Sequence, residues 1–241
     1  DVPSSQEEEI EPSSFMPSLK NHRFEFAVVL MGGLGLAGIA GYINTLVIAL
    51  GAPPVTHLTG TISRWSSDVG RGDMIDAQLI AGLVVAFLLG AICSGMIIGS
   101  STLHIGRRYG LAILIEAGLL SLAAFFIDQS MITGAMFAAG AAGLQNAMAA
   151  SYRSLIIRTT HLTGVITDLG FQIGQFISGH QRLGWEFVLL ASILLAFVTG
   201  GILGVTSAQQ LGPDGLWIPA GVLGIAGFGY FTIRTALRMR G

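Results

Sequence analysis

Six stretches of this chain are long, apolar and almost free of charge, and they limit its possible folds more than any other feature. They are 26–50, 77–99, 111–127, 131–150, 187–205 and 216–233. Each runs 17 to 25 residues; five carry no charged residue, and the third carries only Glu116. At 1.5 Å per residue, about 20 residues of helix cross a bilayer core of roughly 30 Å. Transmembrane strands would need only about 10 residues and would alternate in polarity. These stretches do not alternate, and in lipid a helix pairs its own backbone groups. The expected fold class is an all-α membrane protein with six transmembrane helices. Composition agrees, because 11% charged residues is less than half the roughly 25% of soluble domains. So apolar a chain cannot clothe a water-facing surface, and it is too hydrophobic for a disordered one. The expected partner is the lipid bilayer. A net charge of −2 supplies no basic face for nucleic acid. The single Cys93 excludes a disulfide framework and a Cys-pair metal site.

The remaining segments differ in kind. Residues 1–23 hold the acidic run Gln6-Glu7-Glu8-Glu9, broken up by Pro3, Pro12 and Pro17. Alone in water such a tail is disordered, so an ordered tail implies a protein partner that holds it. The chain does not start with Met, which suggests processing and the loss of any targeting segment. Two shorter segments, 58–70 and 162–178, are amphipathic. The first carries Arg64 and Asp68. In the second, Leu162, Val165, Ile166, Leu169, Ile173, Phe176 and Ile177 recur at helical spacing, away from Asp168, Gln172 and Gln175.

An internal repeat organises these segments. Thr-His-Leu-Thr-Gly occurs at 56–60 and again at 160–164, an offset of 104 residues. Upstream, 41–44 aligns with 143–146. Downstream, 77–99 corresponds to 187–205 and 111–127 to 216–233. The layout is a polar tail over 1–23, a first membrane repeat over 24–128, a second over 129–236 and a basic end over 237–241. If the short segments do not cross, each half crosses three times and the halves are inverted. Lys20, Arg23, Arg107, Arg108, Arg153, Arg158, Arg182, Arg234, Arg238 and Arg240 then share one face, against Arg64 and Arg71 on the other. This 10 to 2 split falls to 7 against 4 if both short segments cross. The positive-inside rule favours six crossings, hence an inverted repeat with two half-helices, a plan shared by many secondary transporters.

The motifs at 41–44, 56–60, 143–147 and 158–164 resemble the YoaK-type family of bacterial membrane proteins, over roughly residues 24–236. The resemblance implies a polytopic, transporter-like protein and names no substrate. It also implies an inner membrane, of a bacterium or of an organelle of bacterial ancestry. This chain carries Asn44 where the family commonly has Asp, and Thr61 where it has Asn. The lost carboxylate weighs against proton or cation coupling at that position.

The candidate substrate-binding residues are Thr59, Gly60, Thr163 and Gly164, with His57, His161 and Asn146 beside them. Thr59 and Thr163 suit N-cap positions. The free N–H groups of Gly60, Thr61, Gly164 and Val165 would then face a cavity and favour an anion. The histidines could relay protons, but a bond to a loop carbonyl is the preferred role. Arg64 and Asp68 can pair at i, i+4, and the repeat places Arg64 opposite Asp168, which suggests a structural ion pair across the repeats. Glu116 sits near the end of its stretch, within reach of water. Asn44, Gln145 and Asn146 are expected to bond between helices. No enzyme is expected: there is no Ser-His-Asp set, no metal-ligand cluster and no phosphate loop, hence no cofactor. Two functions remain. One is a carrier for a small solute or ion, with its site between the repeats. The other is a non-catalytic accessory subunit of a larger membrane complex, docked partly through residues 1–23.

Overall fold

The computed structural model describes residues 23–99, 107–150 and 161–238, and the side chains of all of these but 23–29, 107 and 234–238. The acidic tail therefore lies outside the described residues, as do Arg153, Arg158 and Thr160. The chain divides into two compact units, Asp1–Gly32 and Gly33–Gly241. Of the first, only the opening of the first helix is described.

The described residues are helical and contain no strand. In order they form α1 (Arg23–Ala49), α2 (Leu58–Arg71), α3 (Met74–Ile98), α4 (Arg107–Ile127), α5 (Met131–Ala150), α6 (Leu162–Ile177), α7 (Trp185–Leu211), a 3-10 turn (Gly212–Leu216) and α8 (Trp217–Arg238). Every apolar stretch seen in the sequence is a helix, and both amphipathic segments are short helices. Their ends follow local chemistry. Gly72 stops α2 at φ +80°, a conformation disfavoured for residues with a Cβ, and its N–H bonds back to Val69 and Asp68 carbonyls. Asp73 then starts α3 by accepting the Asp76 N–H at 3.3 Å.

Four stretches are long and apolar enough to cross a membrane: Leu30–Ala49, Met74–Ile98, Arg108–Ile127 and Trp185–Ile233. The last contains both α7 and most of α8. The fifth expected span, α5, is outside the four, because Gln145, Asn146 and its many small residues dilute its apolarity. It is instead the most enclosed helix, buried almost continuously from Gly134 to Gln145. The outward faces of α3, α7 and α8 are apolar: Leu88, Leu89, Met96, Leu195, Ile202, Val222 and Ile225 are exposed. Large exposed apolar faces of this kind suit a lipid solvent. The core lies between α1, α4, α5, the 3-10 turn and α8, around Leu46, Val47, Leu120, Ala138, Leu216 and Leu223.

Two helix crossings dominate the interior of the second unit, and they are built alike. At the first, α1 meets α7. A Cβ on Gly41 would run into the Phe197 carbonyl, and one on Gly200 into the Gly38 carbonyl. At the second, α5 meets α3. A Cβ on Gly143 would run into the Phe87 carbonyl, and one on Gly90 into the Gly140 carbonyl. Even the looser contacts match, with Gly38 facing the Ala196 carbonyl and Gly140 the Ala86 carbonyl, both at 3.5 Å from a built Cβ. Small residues let these backbones touch, and close backbone contact is what holds helices together in lipid. Thr45 adds a bond from its Oγ1 to the Gly201 carbonyl at 2.7 Å.

Candidate functional site

The short helices α2 and α6 position the site. Each begins at a histidine. His57 and His161 are the N-cap residues, and neither side chain bonds the helix end. This corrects the expectation that Thr59 and Thr163 cap the helices; both lie inside the first turn. The first backbone bonds run from the Thr61 N–H to the His57 carbonyl at 3.3 Å and from the Val165 N–H to the His161 carbonyl at 3.0 Å. Thr61 and Val165 are therefore not free donors. The N–H groups of 58–60 and 162–164 precede those bonds and have no intrahelical acceptor. Thr59, Gly60 and Thr163 are exposed, and Gly164 is half-buried.

The depth of this region follows from one contact. The His57 ring stacks on Phe197, with centroids 6.0 Å apart and planes at 30°. Phe197 lies midway along α7, so the start of α2 is level with the middle of that helix. His161 is close as well. Burial first, and then the charge of His161, hold His57 below the ordinary histidine range. The two N-caps, 104 residues apart in the chain, thus meet in space. Asn44 supports the loop between them and α1: its Oδ1 accepts the buried Thr56 N–H at 3.2 Å. Thr61 Oγ1 lies 2.9 Å from the His57 carbonyl and 3.3 Å from that of Pro54. Gln145 donates from Nε2 to the Leu36 carbonyl at 2.7 Å, joining α5 to α1. Asn44 and Gln145 therefore have the bonding roles expected of them.

The ion pairs differ in part from the expectation. Arg64 and Asp68 do pair, at 3.8 Å, but the second partner of Arg64 is Asp76 on α3, at 3.7 Å. Asp68 is buried and also takes Arg71, at 2.9 Å. Asp168 is exposed on α6 and does not pair with Arg64. The clamp joins α2 to α3 within one half of the chain.

Three participants escaped notice in the sequence. Phe197 is one; the doublet Ala-Phe-x-x-Gly at 86–90 and 196–200 was the signal for it. Asp76 is another, and no local pattern marks it. The third is the Tyr42 hydroxyl, which donates to the Gly215 carbonyl at 2.9 Å and sits 2.6 Å from Ser207 Oγ. Glu116 also needs correcting. It lies in the middle of α4, fully buried, and not near a water-accessible end. Among the described residues no cluster of three or more His, Cys, Asp or Glu could hold a metal. A cleft of about 310 Å³ lies away from the histidines, at the corner of α6 and α7, lined by Gln172, Gln175, Gln181, Arg182, Trp185 and Glu186.

The motifs at 41–44, 56–60, 143–147 and 158–164 all fall within residues 32–229, which match one family pattern, Protein of unknown function (DUF1275). The chain belongs to the DUF1275 family. Every residue of the candidate site, and both glycine crossings, lie inside the DUF1275 match. No curated protein and no solved structure matches the chain.

Proposed function

We propose that this DUF1275 protein is a membrane carrier, not an enzyme, and that it moves a small solute or ion through the region where α2 and α6 begin. In this reading α1, α3, α4, α5, α7 and α8 cross the bilayer. The two short helices enter from opposite faces as half-helices of an inverted repeat. The observation that carries the proposal is the meeting of His57 and His161 beside the midpoint of α7. Two helix ends with unpaired N–H groups then share one place at mid-depth. Each such end carries about half a positive charge, so a small anion is the favoured ligand class. The matched glycine crossings support the duplication. At about 21 Å and 24 Å for 14 and 16 residues, α2 and α6 are too short to cross a core of roughly 30 Å.

The test is a thermal shift of the purified chain with a panel of small anions and cations. A carrier gives a rise in Tm with at least one small anion, reduced in Thr59→Val and in Thr163→Val. If no ion in the panel shifts the wild type, the site assignment falls. The accessory-subunit alternative draws support from Asn44, whose amide is used to hold the Thr56 backbone. It expects co-migration with a much larger complex after mild-detergent extraction, and release from that complex on deletion of residues 1–20. A particle of one or two chains would favour the carrier.

A further inference from the structure

Glu116 is the tenth of the 21 residues of α4, about 15 Å from either end. It is 0% exposed, and neither carboxyl oxygen has a hydrogen-bond partner among the described residues. Its surroundings can be followed helix by helix, because α3, α5, α8 and the 3-10 turn all pack against α4. Helix α3 runs antiparallel to it from the end where Gly99 faces Arg108. Ile98 and Ala112 share a buried cluster at that end. One turn deeper on each helix come Ser94 and Glu116, and the buried Ser94 Oγ is also unpartnered. Ile127 against Gly134 sets the register of α4 with α5 and brings Gln145 to the level of Glu116. Gln145 directs its Nε2 to Leu36.

No cation reaches this level. Helix α5 has no charged residue or histidine. Helix α3 brings Asp76 at its far end, and Cys93; the 3-10 turn brings Asp214; α1 brings Tyr42. On α4 itself, Arg107, Arg108 and Tyr109 are about two turns away. Helix α8 carries Tyr230, Arg234 and Arg238. Gly227 packs on Ile113 and Leu114, and Gly110 on Tyr230, so the α8 arginines lie level with or beyond the start of α4. An ionised carboxylate left alone in such an interior is costly.

We propose that Glu116 is a proton-binding site within the α3–α4–α5–α8 packing. The carboxyl carries its proton while these helices are closed on it. It releases the proton only when α4 parts from its neighbours and water or a cation reaches the oxygens, so proton release and helix rearrangement are one event. The inference rests on α4 and does not depend on the pathway proposed at α2 and α6.

Infrared spectroscopy of the full chain in lipid vesicles at pH 7 tests it. The wild type should show the carbonyl stretch of a protonated carboxyl, shifted by isotope-labelled glutamate and lost in Glu116→Gln. Adding sodium or potassium at fixed pH should leave the band unchanged. Only carboxylate bands in the labelled wild type would overturn the proposal. So would loss of the protonated band on adding either cation, which would make this a metal-cation site. The isotope-labelled wild type gives the answer even if Glu116→Gln fails to fold.

Discussion

Helices α2 and α6 begin with the same pentapeptide, at 56–60 and 160–164, yet different interactions hold them. Helix α2 is fastened at its far end: Asp68 is buried between Arg64 and Arg71, and Arg64 reaches Asp76 on α3. Helix α6 packs on α7 through Val165 and Leu169. Its one charged residue, Asp168, is exposed, and α6 forms no ion pair among the described residues. Duplication supplied the same helix start twice, and later sequence change clamped only one copy. If one of the two short helices moves in a working cycle, the difference points to α6.

The comparison rests on equivalent crossings beneath the two short helices, and breaking these should have the largest effect. Gly41→Val and Gly143→Val each drive a side chain into a backbone carbonyl of the facing helix, at Phe197 and Phe87 respectively. Each should cost about 3 kcal/mol or more, seen as a large and similar loss of thermal stability. A tolerated Gly41→Val beside a ruinous Gly143→Val would end the equivalence. The clamp comes next. Asp68→Ala leaves Arg64 and Arg71 without their buried partner and should cost about 1 kcal/mol, since both arginines are largely exposed. Faster hydrogen exchange in α2, with α6 unchanged, would show that the clamp acts locally.

A smaller effect is expected from pH. His57 is held below its ordinary value near 6.5, so between the two values the unfolded chain binds more protons than the folded one. Stability then rises with pH, and it falls as the medium is acidified through about 6.5 toward the lower folded value. His57→Asn should flatten the acid side of a Tm–pH profile. His161→Asn should flatten it less, because it removes only the second of the two causes. A steeper acid loss in His57→Asn would reverse this assignment. The smallest effect belongs to Asp168→Asn. An exposed, unpaired residue should change stability by less than about 0.5 kcal/mol, and a loss comparable to that of Asp68→Ala would dissolve the contrast between the short helices.

Much of the fold was legible in the sequence because it rests on local rules. Segments 58–70 and 162–178 were placed within a residue of α2 and α6, since amphipathic spacing repeats every turn. The apolar stretches matched helices, with ends off by several residues where capping set the limit; α3 starts at Met74, behind its Asp73 cap. The candidate site was legible only in part. His57 and His161 were singled out as neighbours of the caps, but a Thr-before-Gly pattern pointed to the wrong capping residue. Arg64 and Asp168 correspond under the repeat, which says nothing about whether their side chains can meet. Asp76, closer in sequence and projecting from the start of α3, is the partner that Arg64 finds.

Length, apolarity and periodicity alone determined a helical membrane-type chain with two short amphipathic helices and a duplicated plan, because each depends on residues within a few turns of one another. Tertiary structure decided what those elements do together. It set His57 on Phe197 and near His161, closed Gly41 and Gly143 onto facing backbones, and sealed Glu116 away from every described partner. Such contacts join residues about 30 to 140 positions apart, and they depend on which helix faces pack and at what level, which no local pattern encodes.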